Sequence, residues 1–133
     1  MVVDTSVLVA IIKDEPEGSS FVDCIGAASS ASISAGSLLE CGVVIGSRAG
    51  DAGLQVVREL CESLMLEVVP VDAIQARIGY EAFLRYGRGL HNKAQLNFGD
   101  CFAYALAKTR GLPLLFKGDD FIHTDIEPAL KPA

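Results

Sequence analysis

No apolar run in this chain is long enough to cross a bilayer. The longest, residues 7–12, holds six residues, where a spanning helix needs roughly 20. No basic segment precedes an apolar stretch near the N-terminus, and no small-residue cleavage site follows one. No export signal is therefore expected, and the expected compartment is the cytoplasm, with no membrane partner. No C-x-x-C pair occurs. Cys24, Cys41, Cys61 and Cys101 each lie within an apolar helical pattern, which favours buried free thiols over disulfides. Repeats, low-complexity tracts and linkers are also missing. The 133 residues are expected to form one domain spanning 1–133, large enough for a real core.

Basic residues are in deficit: 11 Lys and Arg stand against 17 Asp and Glu, a net charge of −6. Taken alone, that argues against a nucleic-acid binder. The deficit is uneven, however. Residues 77–117 carry Arg77, Arg85, Arg88, Lys93, Lys108, Arg110 and Lys117 against Glu81 and Asp100, so this segment is +5 and the rest is −11. Most of these cations belong to solvated helix faces, but the skew permits a local anion-binding surface on an acidic protein.

What is present reads as strands alternating with helices. Val2 and Val3 open the chain as a short buried strand. Pro16 suits the first turn of a helix over about 17–28, and "ASISA" (31–35) reads as a second strand. "SLLECGVVIGSR" follows as a helix with Leu38, Leu39 and Val43 on its apolar side, and Asp51 begins another with Leu54, Val57, Cys61 and Leu64 in register. "LEVVPV" is a third strand. Asp72 caps a helix carrying Ile74, Ile78, Ala82 and Tyr86 four apart. After the polar loop "GRGLHNKAQ", Asn97 caps a helix through Arg110, and Gly111 ends it. "PLLF" is a fourth strand. This order implies an α/β fold with a short parallel sheet and helices on both faces. In such sheets, ligands bind beyond the carboxyl ends of the strands.

Four segments bring acids to that edge. Asp4 follows the first strand, Glu40 lies early in the helix after the second, Asp100 lies in the first turn capped by Asn97, and Asp119 and Asp120 follow the fourth strand. Each has a structural alternative. Ser37 to Glu40 fits an S-x-x-E capping box, Asn97 to Asp100 has the same spacing, and "GDD" suits a turn. Asp4 has the weakest alternative, because a carboxylate between two apolar runs needs a strong partner. Clustered carboxylates repel unless a hard divalent cation such as Mg²⁺ or Mn²⁺ relieves them. Such an ion polarises phosphoryl groups and activates water.

With these residues in view, "MVVDTSVLVAIIKDEPE", "SAGSLLE", "LNFGDCFAYALA" and "LPLLFKGDDFIHTDI" together resemble a PIN-domain ribonuclease. More narrowly, they are similar to VapC-type toxins of bacterial type II toxin–antitoxin pairs. The resemblance implies an α/β/α sandwich, an acidic site for Mg²⁺ or Mn²⁺, and cleavage of single-stranded RNA to 5′-phosphate and 3′-hydroxyl ends. It assigns catalytic roles to Asp4, Glu40, Asp100 and a fourth acid, with Asp4 and Asp100 as metal ligands. Many relatives read D-x-D-F where this chain has "GDDF", so Asp119 and Asp120 both qualify. Asp119 is preferred here as nearer the strand end. Ser6 and Asn97 are supporting residues, Arg88, Lys93 and Lys117 are candidate RNA contacts, and neither His91 nor His123 is given a catalytic role. Implied partners are a cognate antitoxin with a basic segment over the acidic groove, a second copy in a homodimer, and operator DNA only through the antitoxin.

Other classes remain in view: a PIN fold that binds RNA or a partner without cutting, and a Mg²⁺-dependent phosphoreceiver domain. A haloacid-type phosphatase needs a second acid two residues after the first, where this chain has Ser6. "GRGLHN" lacks the glycine pattern of a dinucleotide site and follows no strand.

Overall fold

The computed structural model describes residues 1–90 and 93–130. The elements run β1 (Val2–Val3), α1 (Thr5–Ile12), α2 (Gly18–Ala27), β2 (Ser32–Ser34), α3 (Ala35–Ser63), β3 (Glu67–Val69), α4 (Ala73–Tyr86), α5 (Phe98–Arg110) and β4 (Leu114–Leu115). All strand pairs are parallel, in the order β3-β2-β1-β4. The expected α/β/α sandwich is what forms.

Alternation along the short strands sorts the core into two layers. Val3 and Leu115 face one side, with Val7 and Leu8 of α1, Phe21 and Ile25 of α2, and Cys41, Ile45 and Val57 of α3. Val2 and Leu114 face the other, with Ala82 of α4, Ala103, Leu106 and Ala107 of α5, and Phe121. Strands of two or three residues suffice because β1, β2 and β4 are buried along their whole length, while β3 at the sheet edge buries only Val69.

The chain winds from β1 to β2 to β3 in one direction and then returns to place β4 on the opposite flank of β1. The strand order reverses there, so the crevice beyond the carboxyl ends of β1 and β4 is the natural ligand position. Asp4 sits at that point, its backbone N–H donating to the Leu115 carbonyl at 3.0 Å.

Several local expectations hold. Asp72 caps α4 and Asn97 caps α5, and Gly111 ends α5 in the left-handed region with φ 63°. The expected break before Asp51 is a kink inside α3, where Gly50 takes φ 60° and ψ −149°. The buried helix faces match the expectation in part: Leu38 of α3 and Ile78, Ala82 and Tyr86 of α4 pack in or against the core, and other positions differ. On α3 the core side is Ser37, Cys41 and Ile45, while Leu39 and Val43 point outward. On α4, Gln75, Gly79 and Ala82 are buried and Ile74 is exposed. Both helices are apolar on more than one side, so periodicity alone does not choose the packed one. The cysteines are free as expected, but only Cys41 is fully buried. Burial pushes the Cys41 thiol up to about 12 and Cys101 to about 11, which keeps both protonated.

Candidate active site

Asp4 is the N-cap of α1 and is 4% exposed. One carboxylate oxygen is fully engaged: Oδ2 accepts from the Ser6 backbone N–H at 3.1 Å and from Ser6 Oγ at 2.6 Å. Ser6 Oγ in turn accepts from the Lys117 backbone N–H at 2.9 Å. The strand-end loop after β4 is thereby tied to the first acid. The other oxygen, Oδ1, is buried with no protein partner. Burial raises the Asp4 carboxyl to about 6, with the Glu40 charge adding to the rise and the Ser6 hydrogen bonds opposing it.

Asp100 forms a complete capping box with Asn97. Asp100 N donates to Asn97 Oδ1 and Asn97 N donates to Asp100 Oδ2, each at 3.0 Å. That structural role occupies one of its oxygens only. Burial is the largest influence on Asp100 and raises it to about 8; the charges of Asp4 and Asp120, and a shared hydrogen bond with Asp120, push the same way. A cap alone would lower this carboxyl, since it accepts a backbone N–H beside a helix N-terminus. The rise records burial first, with the neighbouring acids adding to it.

Glu40 is half-buried on the second turn of α3. The capping-box alternative for it does not apply: Ser34 is the N-cap of α3, accepting from Gly36 N at 3.1 Å, so Ser37 stands inside the helix. The Glu40 carboxylate lies against the Cα of Gly99, one residue from Asp100.

The two candidates for the fourth acid separate clearly. Asp120 is half-buried and reaches Asp100. Asp119 is exposed, and its carbonyl accepts from Ile122 N at 3.3 Å in a turn. Gly118, ahead of both, takes φ 95° at the start of this turn.

The basic residues also divide. Lys117 Nζ pairs with Glu15 and, at 3.3 Å, with Glu17. Its charge is directed toward the α1–α2 loop and away from a polyanion. Arg88 and Lys93 are exposed on the segment joining α4 to α5. The base of that segment is pinned by Arg88 N donating to Leu96 O at 2.8 Å, and Leu96 leads directly into Asn97. His91 lies outside the described residues.

The donors of the rim are all carboxylate oxygens, which suits a hard divalent ion. Among the described residues, no group of three or more Asp, Glu, His or Cys closes tightly enough to hold an ion as it stands. A Mg²⁺-type site does not need such a cage, because that ion takes one or two carboxylates and keeps several waters. The unpartnered Oδ1 of Asp4 and the mutual repulsion of Asp4, Asp100 and Asp120 meet that requirement.

One feature had no signal in the reading of the sequence. Phe98 (77% exposed), Tyr80 and Leu84 border an apolar groove of about 590 Å³ between α4 and α5, lined also by Gly79, Cys101 and Phe102. It abuts the first turn of α5, where Asp100 sits.

Comparison with known proteins identifies the family and the fold. The PIN domain model matches residues 1–127. The chain is 43% identical over 130 residues to ribonuclease VapC28 of Mycobacterium tuberculosis, covering 98% of each. It is 44% identical over 126 residues to ribonuclease VapC of Mycolicibacterium smegmatis, covering 95% of this chain and 97% of that one. Among solved structures, Mycobacterium tuberculosis VapC20, described as a sarcin–ricin loop cleaving toxin, superposes with a TM-score of 0.77 at 17% identity and 98% coverage of both chains.

Proposed function

We propose a function from one premise: the chain belongs to the PIN-domain family, and within it to the VapC ribonucleases. The protein is a metal-dependent endoribonuclease, the toxin of a toxin–antitoxin pair, working in the cytoplasm. The observation that carries this reading is the rim itself. Four segments deliver Asp4, Glu40, Asp100 and Asp120 to the sheet's switch point, and Asp4 Oδ1 is left buried and unpartnered there.

Asp4 and Asp100 would hold Mg²⁺ or Mn²⁺, Asp4 through its unpartnered Oδ1 and Asp100 through the oxygen the cap leaves unused. When bound, the ion supplies positive charge opposite the phosphoryl oxygens and makes water nucleophilic near neutral pH. Ser6 holds Asp4 in a single orientation by fixing Oδ2. Glu40 and Asp120 would accept hydrogen bonds from the attacking water and orient it in line with the scissile phosphodiester. Arg88 and Lys93 bind the RNA backbone as it approaches over the segment before Asn97, a contact that positions without reading sequence. Lys117 acts on the site through its backbone N–H and Ser6.

Partners follow from the surface. An acidic rim on a −6 protein suits a basic antitoxin segment. The exposed apolar residues of α3, α4 and α5 beside it, Leu39, Val43, Leu84 and Phe98 among them, suit a second copy in a homodimer. One solved neighbour, VapBC2 from Rickettsia felis, is bound to a DNA fragment from its promoter, with a TM-score of 0.72 at 14% identity. Contact with operator DNA through an antitoxin is proposed here on that likeness.

The purified protein incubated with single-stranded RNA should cut it in Mg²⁺ or Mn²⁺ and stop on chelation, leaving matched DNA intact. Persistent cleavage in excess chelator would remove the metal from this account. The same assay separates the adjacent acids. Asp120→Asn should lose about 10- to 100-fold in rate, as expected for a group orienting a reactant beside a metal, while Asp119→Asn stays within about twofold. The reverse order would return the fourth position to Asp119.

A further inference from the structure

We infer that Gly99 is a positioning residue for Glu40: the bare Cα in the first turn of α5 is the seat of the Glu40 carboxylate. The inference rests on the nuclease reading for its consequence, but the seat itself is a matter of geometry. A Cβ built on Gly99 would overlap Glu40 Oε2 and come within 2.6 Å of Cδ and 2.7 Å of Oε1. Van der Waals contact between such atoms begins well beyond 3 Å. All three nearest atoms belong to that one carboxylate.

Nothing in the backbone asks for glycine here. Gly99 is not among the residues with positive φ, and it lies inside a regular helix, where any other residue fits better. The requirement is for space. A second contact sets the register. A Cβ on Gly36 would overlap the Phe102 ring, coming within 2.7 Å of Cε1. Gly36 and Glu40 are one turn apart on α3, and Gly99 and Phe102 are one turn apart on α5, so each pair shares a helix face. The two faces mesh reciprocally: the ring of α5 fills the gap at Gly36, and the carboxylate of α3 fills the gap at Gly99. The seat holds the Glu40 carboxylate at the first turn of α5, where its charge acts on Asp4.

The obstructing group is the end of a flexible side chain. An alanine at 99 should therefore displace the Glu40 carboxylate and leave the helices in place. Gly99→Ala should melt within about 3 °C of wild type. It should also lose about 10-fold in Mn²⁺ affinity by calorimetry and show the same drop in RNA cleavage as Glu40→Gln. The double variant Gly99→Ala/Glu40→Gln should be no worse than either single variant, since both changes remove the same carboxylate from the same place. Wild-type Mn²⁺ affinity and cleavage in Gly99→Ala would overturn the proposal. So would losses that multiply in the double variant, or a Glu40→Gln protein that binds Mn²⁺ normally.

If Gly99→Ala melts much lower, the Glu40→Ala background decides. A stability loss that vanishes there supports the seat, because the obstructing carboxylate is gone. A loss that persists means the glycine serves helix packing, and the proposal fails. Should the wild type cut no RNA at all, the nuclease reading fails, while the Mn²⁺ and melting comparisons still report on the seat.

Discussion

Asp100→Asn should abolish RNA cleavage and, without divalent metal at pH 8, stabilise the protein. The two effects have one cause. Asp100 is buried beside Asp4 and Asp120, and its carboxyl is raised to about 8, so ionising it costs folding free energy. An asparagine amide keeps an oxygen to accept from Asn97 N and preserves most of the cap, while removing the charge. Discounting heavily for the shared proton and for solvent at the rim, the gain is about 1–2 kcal/mol. For a chain of this size, that corresponds to a rise in Tm of roughly 3–10 °C. Cleavage should fall at least about 100-fold, because a metal-holding oxygen is lost. Thermal melts in chelator beside a cleavage assay give both numbers. If Asp100→Asn loses stability along with activity, Asp100 is chiefly a helix cap and the acidic-cluster reading of it is wrong.

A metal-free sample should lose stability as pH rises from about 5 to about 8, and divalent metal should restore it at the upper end. In the folded chain, Asp4 is raised from 3.8 to about 6 and Asp100 from 3.8 to about 8. Across that window the folded state holds protons that the unfolded chain has released. Stability is therefore fully present below pH 4 for these two groups, and is lost through about 6 for Asp4 and about 8 for Asp100. Opposing carboxylates elsewhere, such as Asp125 held low by Lys108 and Tyr104, lose stability in acid, so the observed optimum should fall near pH 5. Millimolar Mg²⁺ or Mn²⁺ binds only the ionised site, so it should lift Tm at pH 8 by several degrees and leave pH 5 nearly unchanged. Melting curves from pH 4.5 to 8.5 with chelator or metal test this. A Tm that climbs steadily to pH 8 in chelator would contradict the buried, unbalanced cluster.

Much of this site is written locally. Asp4 stands where an apolar strand stops, Asn97 and Asp100 form a capping box readable from spacing, and Gly111 closes α5 as glycine commonly does. The parallel sheet follows from alternation of strands and helices, and the sheet's edge gives Asp4 a place. What the spacing could not decide was set by tertiary contact. Leu39 and Val43 are as apolar as Cys41 and Ile45, so only the neighbouring layer shows which side of α3 is covered. Lys117 adjoins the site in the chain, yet its ammonium is drawn to Glu15 and Glu17, a hundred residues away in sequence. Gly118 turns the backbone ahead of two adjacent aspartates, and of the two it is Asp120 that reaches Asp100. Gly99 reads as a weak helix residue until the carboxylate occupying its missing side chain is seen.

The central claim is that Asp4 offers Oδ1 to a divalent ion that drives RNA hydrolysis. Asp4→Asn tests it most directly, because the amide can still cap α1 through Ser6 while the anionic ligand is gone. Cleavage of single-stranded RNA in Mg²⁺ by wild type and Asp4→Asn, both verified as folded by thermal melting, is the decisive comparison. The account predicts a loss of at least about 100-fold in rate for the folded variant. An Asp4→Asn protein that cuts RNA at the wild-type rate would contradict it.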